Sequence, residues 1–94
     1  MESKKTYQEK MEAQLREWSA KIDLLKAKAE KAKADAKITY LKQIEELRSK
    51  QESVKQKIHE FKESGDEAWE DFKEGVEEAA ADLKKALKRA VTRF

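Results

Sequence analysis

Ninety-four residues make one small domain, and 45% of them are charged. The 22 basic and 20 acidic side chains nearly cancel to a net charge of +2, and there is no proline, so the composition argues against a disordered chain and against nucleic-acid binding. The lack of cysteine excludes disulfides and thiolate metal sites, and no apolar run approaches the ~20 residues that span a bilayer.

The first ten residues, Met1–Lys10, are polar and contain no apolar signal segment, so we expect a cytoplasmic protein. The rest of the chain consists mainly of Ala, Glu, Lys, Leu and Arg, which lose little free energy on entering a helix. This composition is typical of long helices and coiled coils. A single all-α domain over residues 1–94 is therefore predicted.

Apolar residues between Met11 and Ala36 recur at alternating steps of four and three, the heptad spacing of one helix packed on another. Two four-residue steps, from Ala36 to Tyr40 and from Tyr40 to Ile44, interrupt this spacing. We interpret the interruption as a local unwinding of the supercoil inside one helix. The sequence thus predicts an unbroken helix over about residues 4–63.

Helix ends can also be located from short signals. Two stretches, Thr6–Glu9 and Ser64–Glu67, fit the capping box in which a hydroxyl and a glutamate satisfy the first backbone N–H groups. Gly65 in the second stretch favours a turn at 64–66, followed by a helix over about 67–93. The alternative is one continuous rod, in which Gly65 costs about 1 kcal/mol relative to Ala.

Charge distribution favours the turn over the rod. Residues 66–78 carry seven acids and one base, and residues 84–93 carry five bases and no acid, an order that suits the dipole of a helix. Folding back at the turn also sets Leu47 near Leu83 and pairs opposite charges. The predicted fold is therefore a long helix with a shorter helix folded back on it as an antiparallel coiled-coil hairpin.

In that hairpin the second helix is too short to cover the first. A helix of about 57 residues is ~85 Å long, and one of about 28 residues is ~42 Å long. The N-terminal stripe would face water, which predicts a homo-oligomer, with a dimer favoured. The predicted interaction seam consists of Met11, Leu15, Trp18, Ile22, Leu25, Val54, Ile58, Phe61, Trp69, Phe72, Val76, Leu83 and Leu87.

No constellation in the sequence predicts catalysis, a cofactor or a metal. His59 with Glu63 one turn later offers two ligands, but spacing supplies no third, and we interpret the histidine as a surface residue. The acidic pairs Glu45–Glu46 and Glu77–Glu78 lack a cleft that would shift their pKa values. The aromatic residues at seam positions could form a ligand box, but packing is the simpler interpretation. The protein is predicted not to be an enzyme.

Two basic stretches are candidates for a different function, binding to anionic partners. The lysines between Lys26 and Lys37 spread around the helix, which favours close helix packing over an anion-binding stripe. The segment Leu83–Phe94 instead reads as a basic amphipathic helix able to lie on an anionic membrane. Its apolar residues also complete the hairpin, so membrane binding would require the hairpin to open.

Two stretches, Lys10–Tyr40 and Gly65–Phe94, resemble a family of small bacterial coiled-coil proteins. The most specific pieces are Met11-Glu12-Ala13, Ala36-Lys37-Ile38 and Ala68-Trp69-Glu70-Asp71. Members are labelled as coiled-coil domain or stress-response proteins without a known molecular function. The resemblance implies a stress association and transfers no active site.

The predicted function is non-enzymatic, by self-association or by binding a protein partner through helices. The alternative is reversible binding to an anionic membrane surface through amphipathic helices, in the manner of apolipoproteins.

Overall fold

Three helices account for the regular structure of residues 3–65 and 67–93, the part of the chain that the computed structural model describes. The helices are α1 (Lys4–Glu30), α2 (Ala34–Glu63) and α3 (Trp69–Arg93). The predicted all-α class is confirmed. Asp66 in the predicted turn and Phe94 at the end of the basic segment lie outside the described residues.

The unbroken helix predicted over residues 4–63 is wrong, because the chain leaves the helix between Glu30 and Ala34. The backbone N–H groups of Lys31 and Ala32 donate to carbonyls three residues earlier, at 3.2 and 3.1 Å, which tightens and ends α1. Lys33 then adopts an extended conformation, with φ −66° and ψ 156°, and α2 begins. The altered apolar spacing after this point marks a new helix rather than an unwound supercoil.

The predicted capping boxes do not form. Ser3 caps α1 instead: its Oγ accepts the N–H of Thr6 at 3.1 Å, so Thr6 lies inside the first turn. Ser64 ends α2, with its hydroxyl donating to the carbonyl of Phe61 at 2.5 Å. The third helix begins at Trp69, two residues later than predicted.

The polar contacts between α1 and α2 connect the start of α1 with the end of α2, and the later part of α1 with the middle of α2. The Nζ of Lys4, at the start of α1, donates to the carbonyl of Lys62 at 3.3 Å, near the end of α2. Further along α1, Asp23 forms an ion pair with Arg48, near the middle of α2. A break of three residues is therefore enough for the chain to reverse and for α1 to pack along α2.

Contacts between α2 and α3 likewise connect the earlier part of one helix with the later part of the other. The hydroxyl of Tyr40 donates to the carbonyl of Arg93 at 3.3 Å, and Lys50 Nζ lies 2.8 Å from Asp82 Oδ2. The three helices pack as a bundle of 52 × 18 × 16 Å. Its 52 Å length is slightly more than that of the longest helix alone, since a helix of about 30 residues rises ~45 Å.

The bundle has one apolar core to which every helix contributes. Ile22 and Leu25 of α1, expected to face water, are almost fully buried by the packing of α1 against its neighbours. Full burial of an aliphatic side chain stabilises the folded state by about 1.5–3 kcal/mol, so this stripe is a large part of the core energy. The prediction of a homo-oligomer therefore loses the exposed stripe on which it depended.

Candidate functional site

The predicted interaction seam lies mainly in the interior of the chain. Leu15 and Trp69 are half-buried against the core, and Phe72 is 38% exposed. The remaining seam residues are buried: Met11, Trp18, Ile22, Leu25, Val54, Ile58, Phe61, Val76, Leu83 and Leu87. The structure thus brings nearly all of them together, but as the core of one bundle.

Aromatic side chains close the end of the bundle where α1 begins. The rings of Tyr7 and Phe61 lie 5.2 Å apart, and Trp69 meets Phe61 edge-on at 5.9 Å. The ammonium of Lys73 lies 4.9 Å from the Tyr7 ring centroid. These contacts fill the end of the bundle with side chains, so this cluster is packing rather than a ligand box.

Candidate chemistry remains dispersed over the surface. His59 and Glu63 are exposed, as are both members of the pairs Glu45–Glu46 and Glu77–Glu78. Within residues 3–65 and 67–93, no three His, Asp or Glu side chains come close enough to hold a metal ion. Glu46 lines a small hollow of about 70 Å³ between α2 and α3 together with Arg89 and Arg93, and the lining of this hollow includes no second carboxyl.

An open groove separates α1 from α3 in the half of the bundle where both helices end. Its apolar lining includes the buried side chains of Trp18, Leu25 and Leu87, and its volume is about 600 Å³. Two large apolar residues on its walls remain in water: Leu24 of α1 is 60% exposed and Val91 of α3 is 55% exposed. We call this feature, with its lysine rim, the α1/α3 groove.

Four lysines form the rim of the α1/α3 groove. Lys21 and Lys28 project from α1, and Lys84 and Lys88 project from α3; all four are exposed. Among the residues that the structure describes, only Lys21 of these four has a close carboxylate, Glu17 one turn earlier at 3.5 Å, and the lining of this hollow includes no acid. The rim therefore creates a positive potential beside an apolar floor.

A second hollow of about 300 Å³ continues the groove toward the middle of the bundle. It shares Trp18, Lys21 and Lys84 with the first and reaches Gln14, Ala80 and one acid, Glu17. The stretch of α1 from Gln14 to Lys28 corresponds to ~21 Å of helix. The small side chain of Ala80 leaves room there, since α3 has no bulky residue at this point to fill the space beside α1.

The sequence did not predict the groove. Lys28 is one of many lysines spread around a helix, and Lys84 and Lys88 belong to the segment predicted to bind membranes. Leu24 was not singled out, although it stands beside Leu25 and cannot share its buried face. Such an additional leucine on a charged helix face was the available signal.

No protein-family model, curated protein or solved structure matches the chain. The resemblance to small coiled-coil stress proteins therefore stays a prediction. None of the helices formed by the described residues is long and apolar enough to cross a membrane.

Proposed function

We propose that this chain is a non-enzymatic binding protein of the cytoplasm whose α1/α3 groove receives a partner that carries apolar groups beside negative charge. The observation that carries the proposal is the exposure of Leu24 and Val91 between two pairs of lysines. The free energy falls when a partner removes apolar side chains of this size from water. A cationic rim favours anionic partners and accelerates their encounter.

Partner binding is also predicted from the sequence, but there it depends on the seam residues, whereas here it depends on the α1/α3 groove. A stress-related role is compatible with such a binding protein and rests on the family resemblance alone. We further propose that α2 and α3 form the antiparallel coiled-coil hairpin expected from the heptads. The contacts Lys50–Asp82 and Tyr40–Arg93 support this, because the residue numbers rise on one helix as they fall on the other.

Titration with anilinonaphthalene sulfonate tests the groove, because this fluorescent probe combines an aromatic body with one negative charge. We expect saturable binding to the folded chain. Replacing both exposed apolar residues, Leu24→Ser with Val91→Ser, should weaken it by about tenfold, equivalent to ~1.4 kcal/mol. Ile38→Ser is the matched control, since Ile38 is 59% exposed but does not line the groove. Equal binding by all variants would contradict the proposal.

A second candidate function is binding to an anionic membrane surface. The outer face of α3 supports it, because Lys85 and Arg89 are exposed there together with Lys88 and Thr92. Flotation with vesicles that contain phosphatidylserine, compared with phosphatidylcholine alone, measures this activity. The double change Lys85→Glu with Arg89→Glu should abolish flotation and leave dye binding intact, because neither residue lines the α1/α3 groove.

A further inference from the structure

We propose that the occupant of the α1/α3 groove is an acidic amphipathic α-helix of another protein, which would lie between α1 and α3 as a fourth helix. This inference rests on the proposed function and names the partner's chemistry. Three observations carry it: the shape of the groove, the placement of its lysines, and the burial of this chain's own acidic helix.

The shape of the groove suits a helix. It is bordered by α1 on one side and α3 on the other, and the hollow between them continues for ~21 Å, the length of about fourteen helical residues. Bundles add a helix by placing its apolar stripe into such a furrow between two helices. Ala80 and Ala81 line the inner part of the furrow, where their small side chains permit close approach.

The four lysines lie where they would flank the apolar seam of a helix packed in the groove. Lys21 and Lys28 are seven residues apart on one wall, and Lys84 and Lys88 are four apart on the other, with the apolar floor between the walls. In helical assemblies these flanking positions select the partner by its charge. An acidic helix matches both walls with carboxylates on either side of its apolar stripe, except at the inner end of the furrow, where Glu17 also lines the α1 wall and lies 3.5 Å from Lys21. A ligand with one carboxylate would match only one of the lysines.

A second copy of this chain does not supply such a helix. Its acidic stretch lies at the start of α3, where the apolar stripe includes Trp69 and Val76. Val76 is 1% exposed, and Trp69 packs against Phe61 inside the same bundle. Presenting this stripe to another molecule would require the donor bundle to unfold, so a different protein is the source of the acidic helix.

A pair of synthetic peptides tests the inference. Each has about eighteen residues, long enough to form a helix in the groove, with Leu at heptad seam positions and Ala elsewhere. One carries Glu at the flanking positions and the other Lys. Titrated into the full chain and followed by fluorescence anisotropy of a label on the peptide, the Glu peptide should bind at least ~10-fold more tightly than the Lys peptide, and added salt should weaken its binding.

Variants locate the binding. Lys28→Glu with Lys84→Glu should weaken the Glu peptide by at least ~10-fold and improve the Lys peptide. Lys42→Glu with Lys55→Glu makes the same change of net charge on α2 and should alter neither affinity by more than ~2-fold. All four lysines are exposed, so circular dichroism should show the same helix content in each variant.

Other outcomes separate this inference from the proposed function. If the Glu and Lys peptides bind equally, or if the α2 control weakens binding as much as the groove variant, the acidic helix is ruled out. If phosphatidylserine vesicles displace the dye from the groove and the Glu peptide does not, the proposed function stands and the occupant is a lipid. Sedimentation detects self-association. If the native protein has the mass of two chains and Leu24→Ser has the mass of one, the occupant is instead a second copy.

Discussion

At the scale of single residues, neighbours in the sequence have opposite roles. Leu24 and Leu25 have the same side chain, yet Leu25 is in the core and Leu24 is 60% exposed beside the groove. A step of 100° around the helix produces this difference. Ile22, on the same face as Leu25, is fully buried among core residues. The core and the exposed wall of the groove therefore use separate residues that are one or two positions apart.

Ile22→Ala tests the assignment of α1 to the core. The substitution removes buried apolar groups and leaves a cavity, so we expect the free energy of unfolding to fall by about 2–5 kcal/mol. Leu24→Ala is the control and should cost less than ~1 kcal/mol, because most of that side chain is already in water. Urea denaturation followed by circular dichroism measures both. A loss of oligomer mass by Ile22→Ala with unchanged stability would support the original interpretation of an interchain seam.

Asp82 makes a pH-dependent contribution to the free energy of unfolding. A hydrogen bond from Lys50 and the charge of Lys50 lower the pKa of Asp82 against the opposing effect of desolvation, and Arg89 and Lys85 lower it by smaller amounts. A carboxyl whose pKa is lower in the folded state stabilises the fold above the unfolded value, about 3.9, and this contribution disappears as the pH falls through the folded value.

Asp82→Asn should therefore reduce stability slightly at neutral pH, and the difference from the native chain should vanish in acid, once the pH has fallen through the lowered pKa of Asp82. Denaturation at both pH values measures it. Asp71→Asn is a control, since Asp71 is exposed on the same helix and should show a smaller change at neutral pH. A difference that persists in acid would contradict the role of the Lys50–Asp82 pair.

At the scale of elements, the decisive feature is the reversal between α1 and α2. The sequence from Glu30 to Asp35 contains no glycine and no proline, and alanine and lysine there both favour helix. What ends α1 is tertiary: reversal lets its apolar stripe meet those of α2 and α3. The charges agree with this position, because Lys28 lies in the last turn of α1 and Asp35 in the first turn of α2.

Ala34→Pro distinguishes the reversal from an unbroken helix. Ala34 is the first residue of α2, where proline is favourable, and the extended Lys33 has the backbone that precedes proline readily. We expect unchanged or slightly higher stability. In an unbroken helix over 4–63 the same change would cost about 3 kcal/mol. Ala20→Pro, at an exposed position inside α1, is the control and should cost that amount; equal losses in thermal or urea denaturation would contradict the reversal.

At the scale of the whole molecule, the reversal changes an extended shape into a short bundle. The structure is 52 Å long, with a Cα radius of gyration of 15.2 Å. An unbroken helix of about 57 residues would alone extend ~85 Å. The shorter shape allows one chain to bury its own apolar stripes, and the wall of the α1/α3 groove with Leu24 and Val91 stays exposed.

Small-angle X-ray scattering checks this shape. We expect a largest dimension near the 52 Å of the bundle, extended slightly by side chains and hydration, and a mass that corresponds to one chain. The Ala34→Pro variant should give the same curve, and it is the useful control because it cannot form the long helix. A largest dimension of ~85 Å or more would return the molecule to the hairpin with an exposed N-terminal stripe.

The amino-acid sequence by itself determined the helical class, the turn region after Glu63 and most of the core residues, although it did not predict buried Tyr7 and wrongly included Phe72. Heptad spacing identifies a buried face wherever that face packs, so Met11, Ile22, Val54 and Leu83 were recognised without knowledge of their neighbours. It does not say whether the covering helix belongs to the same chain. Only the tertiary structure decided the reversal after Glu30 and the groove, because both arise from the packing of α1 against helices distant in sequence, for which local propensity carries no signal.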